Sequence, residues 1–133
     1  DIYHAVLSSM VAPDLHLNTS FDVDKILLPS EQATSIALTL NELLQNAIEH
    51  GFENRKEGTL KVSFKIVGSK GMLEIEDDGV GLSPDFDLKN TDSLGLKIVQ
   101  TMVETDLGGK FELLPLKKGT CARVTVPIKR GNA

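Results

Sequence analysis

The stretch Asn41-Glu42-Leu43-Leu44-Gln45-Asn46-Ala47-Ile48-Glu49-His50 decides how the rest of this chain is read. It is the second half of an amphipathic segment, Glu31 to His50, in which Ile36, Leu40, Leu43, Leu44, Ala47 and Ile48 recur at helical spacing. Ser30 is in place to cap that helix, Glu31 puts a negative charge in its first turn, and Gly51 closes it. Glu42, Asn46 and His50 are four apart, so they drift only ~80° around the axis and form a polar stripe away from much of the apolar one. Such a stripe is ordinarily a solvated face. Asn, however, suits a helix interior poorly, because its amide competes for local backbone groups. Here it stands beside Ala47, where Lys or Gln would be easier. An amide oxygen is also a hard ligand suited to Mg2+, which makes Asn46 a candidate metal ligand.

Beyond this helix, Leu60, Val62, Phe64 and Ile66 alternate with Lys61, Ser63 and Lys65, the period of a strand. Gly68 to Gly71 reads as a hairpin turn and Met72 to Glu76 as the returning strand. That strand runs into Asp77-Asp78-Gly79-Val80-Gly81. Glycines at alternate positions let the backbone take unusual dihedrals and let a flat ligand come close. An Asp held there can accept a hydrogen bond from an exocyclic amine, although the same letters also spell an ordinary Asp-Gly turn. A polar loop, Leu82 to Asp92, leads to Ser93-Leu94-Gly95-Leu96-Lys97-Ile98-Val99. Ser93 can cap a helix from Leu94 to about Asp106, closed by Gly108-Gly109. The free N–H groups and dipole of its first turn suit a phosphate. Gly95 costs about 1 kcal/mol against Ala in a helix, so it needs a reason to be there.

Lys110 to Leu116 and Cys121 to Ile128 form a second hairpin across Lys117-Lys118-Gly119, with Gly119-Thr120 opening the last strand. Upstream, Leu15, Leu17, Thr19, Phe21 and Val23 alternate as a strand. Asp1 to Val11 reads as a short helix with Ile2, Val6 and Met10 on one face, ended by Pro13. The expected architecture is α+β: a two-layer α/β sandwich, with helices on one face of a mixed, mostly antiparallel sheet.

Composition narrows the function classes. The 133 residues suit one domain, 1–133. With 41% hydrophobic and 25% charged residues the chain is of globular rather than disordered type. A net charge of −5 without a basic cluster argues against a nucleic-acid partner. An acidic domain that binds a nucleotide needs local help from backbone N–H groups, a divalent cation or a few basic side chains. Cys121 is the sole cysteine, which excludes an internal disulfide and fits a reducing compartment. No apolar run reaches membrane-spanning length and no signal peptide is visible. The expectation is a cytoplasmic domain with no direct membrane contact, cut from a longer protein because the chain opens on Asp1 rather than Met.

Taken in order, these pieces resemble the Bergerat-fold ATPase superfamily of gyrase, the Hsp90 chaperones, histidine kinases and mismatch-repair MutL proteins. Asn41 to Asn46 looks like the N box, Asp77 to Gly81 the G1 box, Ser93 to Leu96 the G2 box and Gly119-Thr120 the final G-T element. The resemblance covers about Ser30 to Ile128 and is strongest to the catalytic ATP-binding domains of two-component sensor histidine kinases. Within them it is nearest the branch with N-E-L-x-x-N-A-x-x-H and S-L-G-L; Pro84 to Leu88 looks like that branch's short nucleotide lid.

The resemblance implies ATP and Mg2+ as cofactors. It implies that Asn46 holds the metal, that Asp77 bonds the adenine amino group and that Gly79 and Gly81 let the loop wrap the base. Ser93, Leu94, Gly95 and Leu96 would face the phosphates, with His50 and Thr120 completing the ATP site. Glu42 occupies the position of the general base in hydrolysing members, and would polarise a water or the acceptor imidazole. Two positions depart from the family pattern. Glu49 stands where many histidine kinases have a basic residue, which implies repulsion at the phosphates and a substitute role for Lys97 or Lys89. Ser93 stands where the first G2-box glycine is usual.

None of His4, His16 and His50 sits in a phosphoacceptor motif. The implied partners are therefore the dimerisation and phosphoacceptor domain of a parent kinase and, downstream, a response regulator. A stand-alone anti-sigma-factor serine/threonine kinase of the same fold is the alternative, and a non-catalytic nucleotide sensor a third reading.

Overall fold

The computed structural model describes residues 16–52, 56–83, 85–91 and 93–128. The expected helix over Asp1 to Val11 lies outside these residues. Strand β1, His16–Val23, leads to helix α1, Ser30–Asn46, which ends in a wider π turn, Ala47–Gly51. Strands β2, Glu57–Val67, and β3, Lys70–Asp77, form the first hairpin. A short 3-10 turn, Leu88–Asn90, precedes helix α2, Leu94–Thr101, which also ends in a π turn, Met102–Asp106. Strands β4, Lys110–Pro115, and β5, Thr120–Pro127, form the second hairpin.

The five strands make one sheet in the order β1-β2-β3-β5-β4. β1 runs parallel to β2, with Phe21 opposite Val62, and the other three pairings are antiparallel. The expected mixed, mostly antiparallel sheet is what the chain forms. Period-2 alternation sends Leu60, Val62, Leu73, Ile75, Val124 and Val126 to one face, all buried. They meet Leu43, Leu44, Val99 and Val103 from the two helices in a single core. Gln32, buried near the start of α1, donates from Nε2 to the Pro127 carbonyl at 2.7 Å, tying the helix to the end of β5. The opposite sheet face carries rows of mixed charge: Ser63, Glu74 and Arg123 in register, and Lys61, Glu76 and Cys121.

Three boundaries differ from the sequence reading. Ser30 does not cap α1 but is its first residue. Pro29 holds the cap position with φ −56° and ψ 145°, and its carbonyl accepts the Ala33 N–H at 2.9 Å. The ring-locked φ of proline already suits the residue entering a helix. Both helices leave α geometry one turn early, which residue spacing alone does not reveal. The first hairpin turn is only Gly68-Ser69, with Lys70 already paired to Val67; Gly68 supplies the positive φ of 64° that so tight a turn needs.

Candidate functional site

Between the second half of α1, the ends of β3 and β5 and the loop before α2 lies a cleft of about 270 Å³. Its floor is the edge of the core, with Leu43, Ala47, Ile75, Leu96 and Ala122. Polar groups from several elements join that floor. Asp77 is at one end, Asn46 and His50 come from α1 and its π turn, and Thr91 and Ser93 stand at the start of α2. A concave, mostly apolar cleft with a few placed polar groups is the common form of a small-molecule site.

Asp77 is the last residue of β3 and is 8% exposed. Its Oδ1 accepts the Gly79 N–H at 2.9 Å, which turns the loop and orients the carboxylate. The next residue acts differently: Asp78 Oδ1 accepts the Thr59 N–H at 2.8 Å, outside the cleft. Gly81 has φ +78° and Gly119 φ +96°, where glycine alone is comfortable. A Cβ on Gly119 would stand 1.9 Å from the Asp77 carbonyl oxygen, so only bare backbone fits there. Thr120, paired with Asp77 across β3 and β5, lines the cleft next to it.

The other end is built on α2. Ser93 Oγ accepts the Leu96 N–H at 3.2 Å, and its carbonyl accepts the Lys97 N–H at 3.1 Å. This cap leaves the N–H groups of Leu94 and Gly95 outside the helix ladder, where with the dipole they favour an anion. Ser93 itself is steadied by its N–H donating to Thr91 Oγ1 at 3.2 Å. A Cβ on Gly95 would be 3.2 Å from Glu42 Oε2, so the missing side chain lets the α1 carboxylate lie against the first turn of α2. A side chain at 95 would press on that carboxylate by a few tenths of an ångström. Between the two ends, Asp87 caps the 3-10 turn by accepting the Lys89 N–H at 3.0 Å and the Asn90 amide at 2.7 Å. Phe86, packed against the core, closes part of the rim.

Of the residues singled out in the sequence, Asn46, His50, Asp77, Gly81, Ser93, Leu96 and Thr120 line the cleft. Gly79 stands behind Asp77 as its hydrogen-bond donor. Gly95 and Glu42 meet beside the α2 end rather than in the lining. The Leu94 side chain is 71% exposed, so only its backbone can serve a ligand. Phe86, inside the expected lid Pro84 to Leu88, lines the cleft, whereas sequence reasoning missed Thr91, whose signal is its spacing two before Ser93, that of a hydroxyl-closed turn. It also assigned no task to Asp78.

Glu49 corrects an expectation. Its carboxylate accepts from Gln45 Nε2 at 3.0 Å on the exposed side of the helix and is not in the cleft lining. Neither Lys97 nor Lys89 lines the cleft, and no Lys or Arg does among the described residues. An anion there has backbone N–H groups at the start of α2 to meet it, rather than a Lys or Arg side chain. The Asn46 amide in the lining fits a divalent cation that keeps most of its waters.

On the far face of the sheet Glu74, Glu76 and Cys121 also come within 4.8 Å of one another. Arg123 Nε already meets Glu74 at 2.9 Å, and burial, reinforced by the Glu74 charge, pushes the Cys121 thiol up to about 12. In this group Glu74 is already paired with Arg123, and the group is turned away from the cleft.

Residues 31–130 match the family model described as "Histidine kinase-, DNA gyrase B-, and HSP90-like ATPase". The sensor histidine kinase PdtaS of Mycobacterium tuberculosis is 32% identical over 127 residues, which cover 94% of this chain and 25% of that one. The chain thus spans about a quarter of the length of that curated relative. Among solved structures, the histidine kinase domain of a blue-light activated histidine kinase from Erythrobacter litoralis superimposes with a TM-score of 0.82 at 27% identity, covering 96% of this chain and 58% of that one. An anti-sigma F factor of Clostridium kluyveri is 36% identical over 52 residues, 39% of this chain and 36% of that one.

Proposed function

Because the chain belongs to the histidine kinase-, DNA gyrase B- and HSP90-like ATPase family, we propose that it is the ATP-binding catalytic domain of a sensor histidine kinase, supplying the γ-phosphoryl group of ATP to a histidine on a separate phosphoacceptor domain. The observation that carries this reading is the set of polar groups brought to one cleft: the Asp77 carboxylate, the Asn46 amide and the serine-capped start of α2.

The Asp77 carboxylate would accept the adenine amino group and repel the carbonyl oxygen that guanine carries in its place. Gly79 and Gly81 let their loop lie close to the base. The N–H groups of Leu94 and Gly95 and the Ser93 hydroxyl would hold the phosphates. Asn46 would hold Mg2+, which when bound draws charge from the phosphate oxygens. His50, exposed at the rim, would add a donor at that end. Glu42, with its carboxylate against Gly95, would polarise the incoming imidazole. In the transfer, the bond from the γ-phosphorus to the bridging oxygen breaks, a bond to the acceptor nitrogen forms, and ADP leaves. Little else is needed, since phosphoryl transfer rests largely on positioning and charge neutralisation.

The partners on this reading are the parent kinase's dimerisation and phosphoacceptor domain and, after it, a response regulator. The parent's reaction would take place in the cytoplasm; no described helix is long and apolar enough to cross a membrane. The sensor-kinase reading draws on similarity over 94% of the chain, the anti-sigma kinase reading on 39%. Incubation with labelled ATP, Mg2+ and a helix pair carrying an acceptor histidine tests the proposal. The expected product is an acid-labile phosphate on the histidine. Acid-stable phosphate on serine or threonine would move the assignment to the anti-sigma type, and absence of ATP binding would overturn both.

A further inference from the structure

We propose that base selection in this cleft is governed by Asp78, a residue outside it, which together with the Gly119 backbone holds Asp77 at a fixed position. The inference rests on the reading that Asp77 meets adenine.

The two adjacent acids are separated by the geometry of the strand. Asp77 closes β3 and turns into the cleft, while Asp78 is the first residue beyond it. Regular pairing between β2 and β3 ends at Leu60 and Asp77. Asp78 extends the attachment by one step with two bonds to one residue. Its Oδ1 accepts the Thr59 N–H at 2.8 Å, and its own N–H donates to the Thr59 carbonyl at 3.3 Å. The first is a charge-assisted bond, the stronger kind.

On the other side, pairing with β5 ends at Asp77 and Thr120. Next to it the Gly119 backbone is pressed so close that a Cβ would stand 1.9 Å from the Asp77 carbonyl oxygen and 2.8 Å from Asp78 Cα. The main chain at 77 and 78 is thus held on the β2 side by the Asp78 side chain hooked on the Thr59 backbone, and on the β5 side by the bare backbone of Gly119. The loop that follows bears on the same point, because the Gly79 N–H orients the Asp77 carboxylate.

A carboxylate separates an amine from a carbonyl oxygen only while it is held at hydrogen-bond distance from the base. A displacement of about 1 Å is enough to spoil such a contact. The hook on Thr59 therefore acts on the ligand through Asp77: Asp78 is a positioning residue. Were it merely a fastener of the strand, its loss would lower stability and leave the preference between bases untouched.

The test compares ATP and GTP affinity in the presence of Mg2+ for wild type, Asp78→Ala, Asp78→Asn and Asp77→Asn, each at a temperature where it is folded. Asp78→Ala is expected to reduce the ATP-over-GTP preference by about tenfold or more. Asp78→Asn keeps the acceptor oxygen and should retain that preference within about twofold. An unchanged preference in Asp78→Ala, with Asp77→Asn impaired, would overturn this inference alone. An unchanged preference in Asp77→Asn would instead remove the adenine role of Asp77. If Asp78→Ala does not stay folded, amide hydrogen exchange on the wild type decides. The Thr59 and Gly79 amides should gain protection together on adding ATP and not on adding GTP, and a Thr59 amide indifferent to ATP would refute the coupling.

Discussion

The end of the cleft assigned to adenine and the end assigned to phosphate are made from opposite materials. Asp77 is 8% exposed and braced between two neighbouring strands, on the β2 side through the Asp78 hook on Thr59 and on the β5 side by Gly119. The phosphate end rests on one serine cap, a hydroxyl-closed turn at Thr91 and the small 3-10 turn over Leu88–Asn90, much of it exposed. On the proposed reading the braced end would discriminate between bases by holding Asp77 in one place. Among the described residues no Lys or Arg lines the cleft, so on the proposed reading the looser end would meet charge with N–H groups and a metal ligand, which suits a ligand group that must leave.

Substitutions at the two ends put this contrast under strain, the largest effect first. Gly119→Ala places a Cβ inside the Asp77 carbonyl and forces a side chain onto φ +96°. It should cost about 3–5 kcal/mol of stability, read as a fall in the urea midpoint. A loss under about 1 kcal/mol would mean that the braced end yields easily. Asn46→Ala should weaken Mg-ATP binding by about tenfold or more while leaving adenosine binding near wild type; calorimetry with and without Mg2+ separates the two. Equal losses for both ligands would place Asn46 in the base end rather than the metal site. Ser93→Ala removes the α2 cap and should cost about 1 kcal/mol in thermal melts, with ATP affinity falling and adenosine affinity unchanged. If adenosine binding falls as well, the two ends are not independent.

Much of this was legible in the residues, because local pattern and local structure agree over most of the chain. The alternation of Leu60 to Ile66 and the stripe from Ile36 to Ile48 specify which side chains enter the core. The Ser93 cap follows from one side chain three residues before the N–H it accepts. The missing information concerns partners distant in sequence. The alternation of β1 is the same for a parallel and an antiparallel neighbour, so its pairing with β2 could not be read from it. The letters Asp77-Asp78 do not say which carboxylate faces the ligand and which faces Thr59; the ladder decides that from 19 residues away. Glu49 looked like a threat to phosphate because it sits three after Asn46. The π turn and Gln45 carry its carboxylate to the outer surface instead. The close fit of Gly119 on Asp77 is invisible in any pattern of letters, since it involves two main chains.

Cys121 sits on the sheet face turned away from the cleft, its thiol donating to Glu74 Oε2 at 3.5 Å and raised by burial to about 12. Thiol reagents attack the thiolate, and at neutral pH the native molecule offers almost none. Unfolding returns the same sulfur to its ordinary value near 9 and to solvent. The chain therefore contains one chemical clock of its own: each modified cysteine counts a molecule that has opened its sheet, and slowing of that clock by a nucleotide measures how far binding on one face holds the other shut.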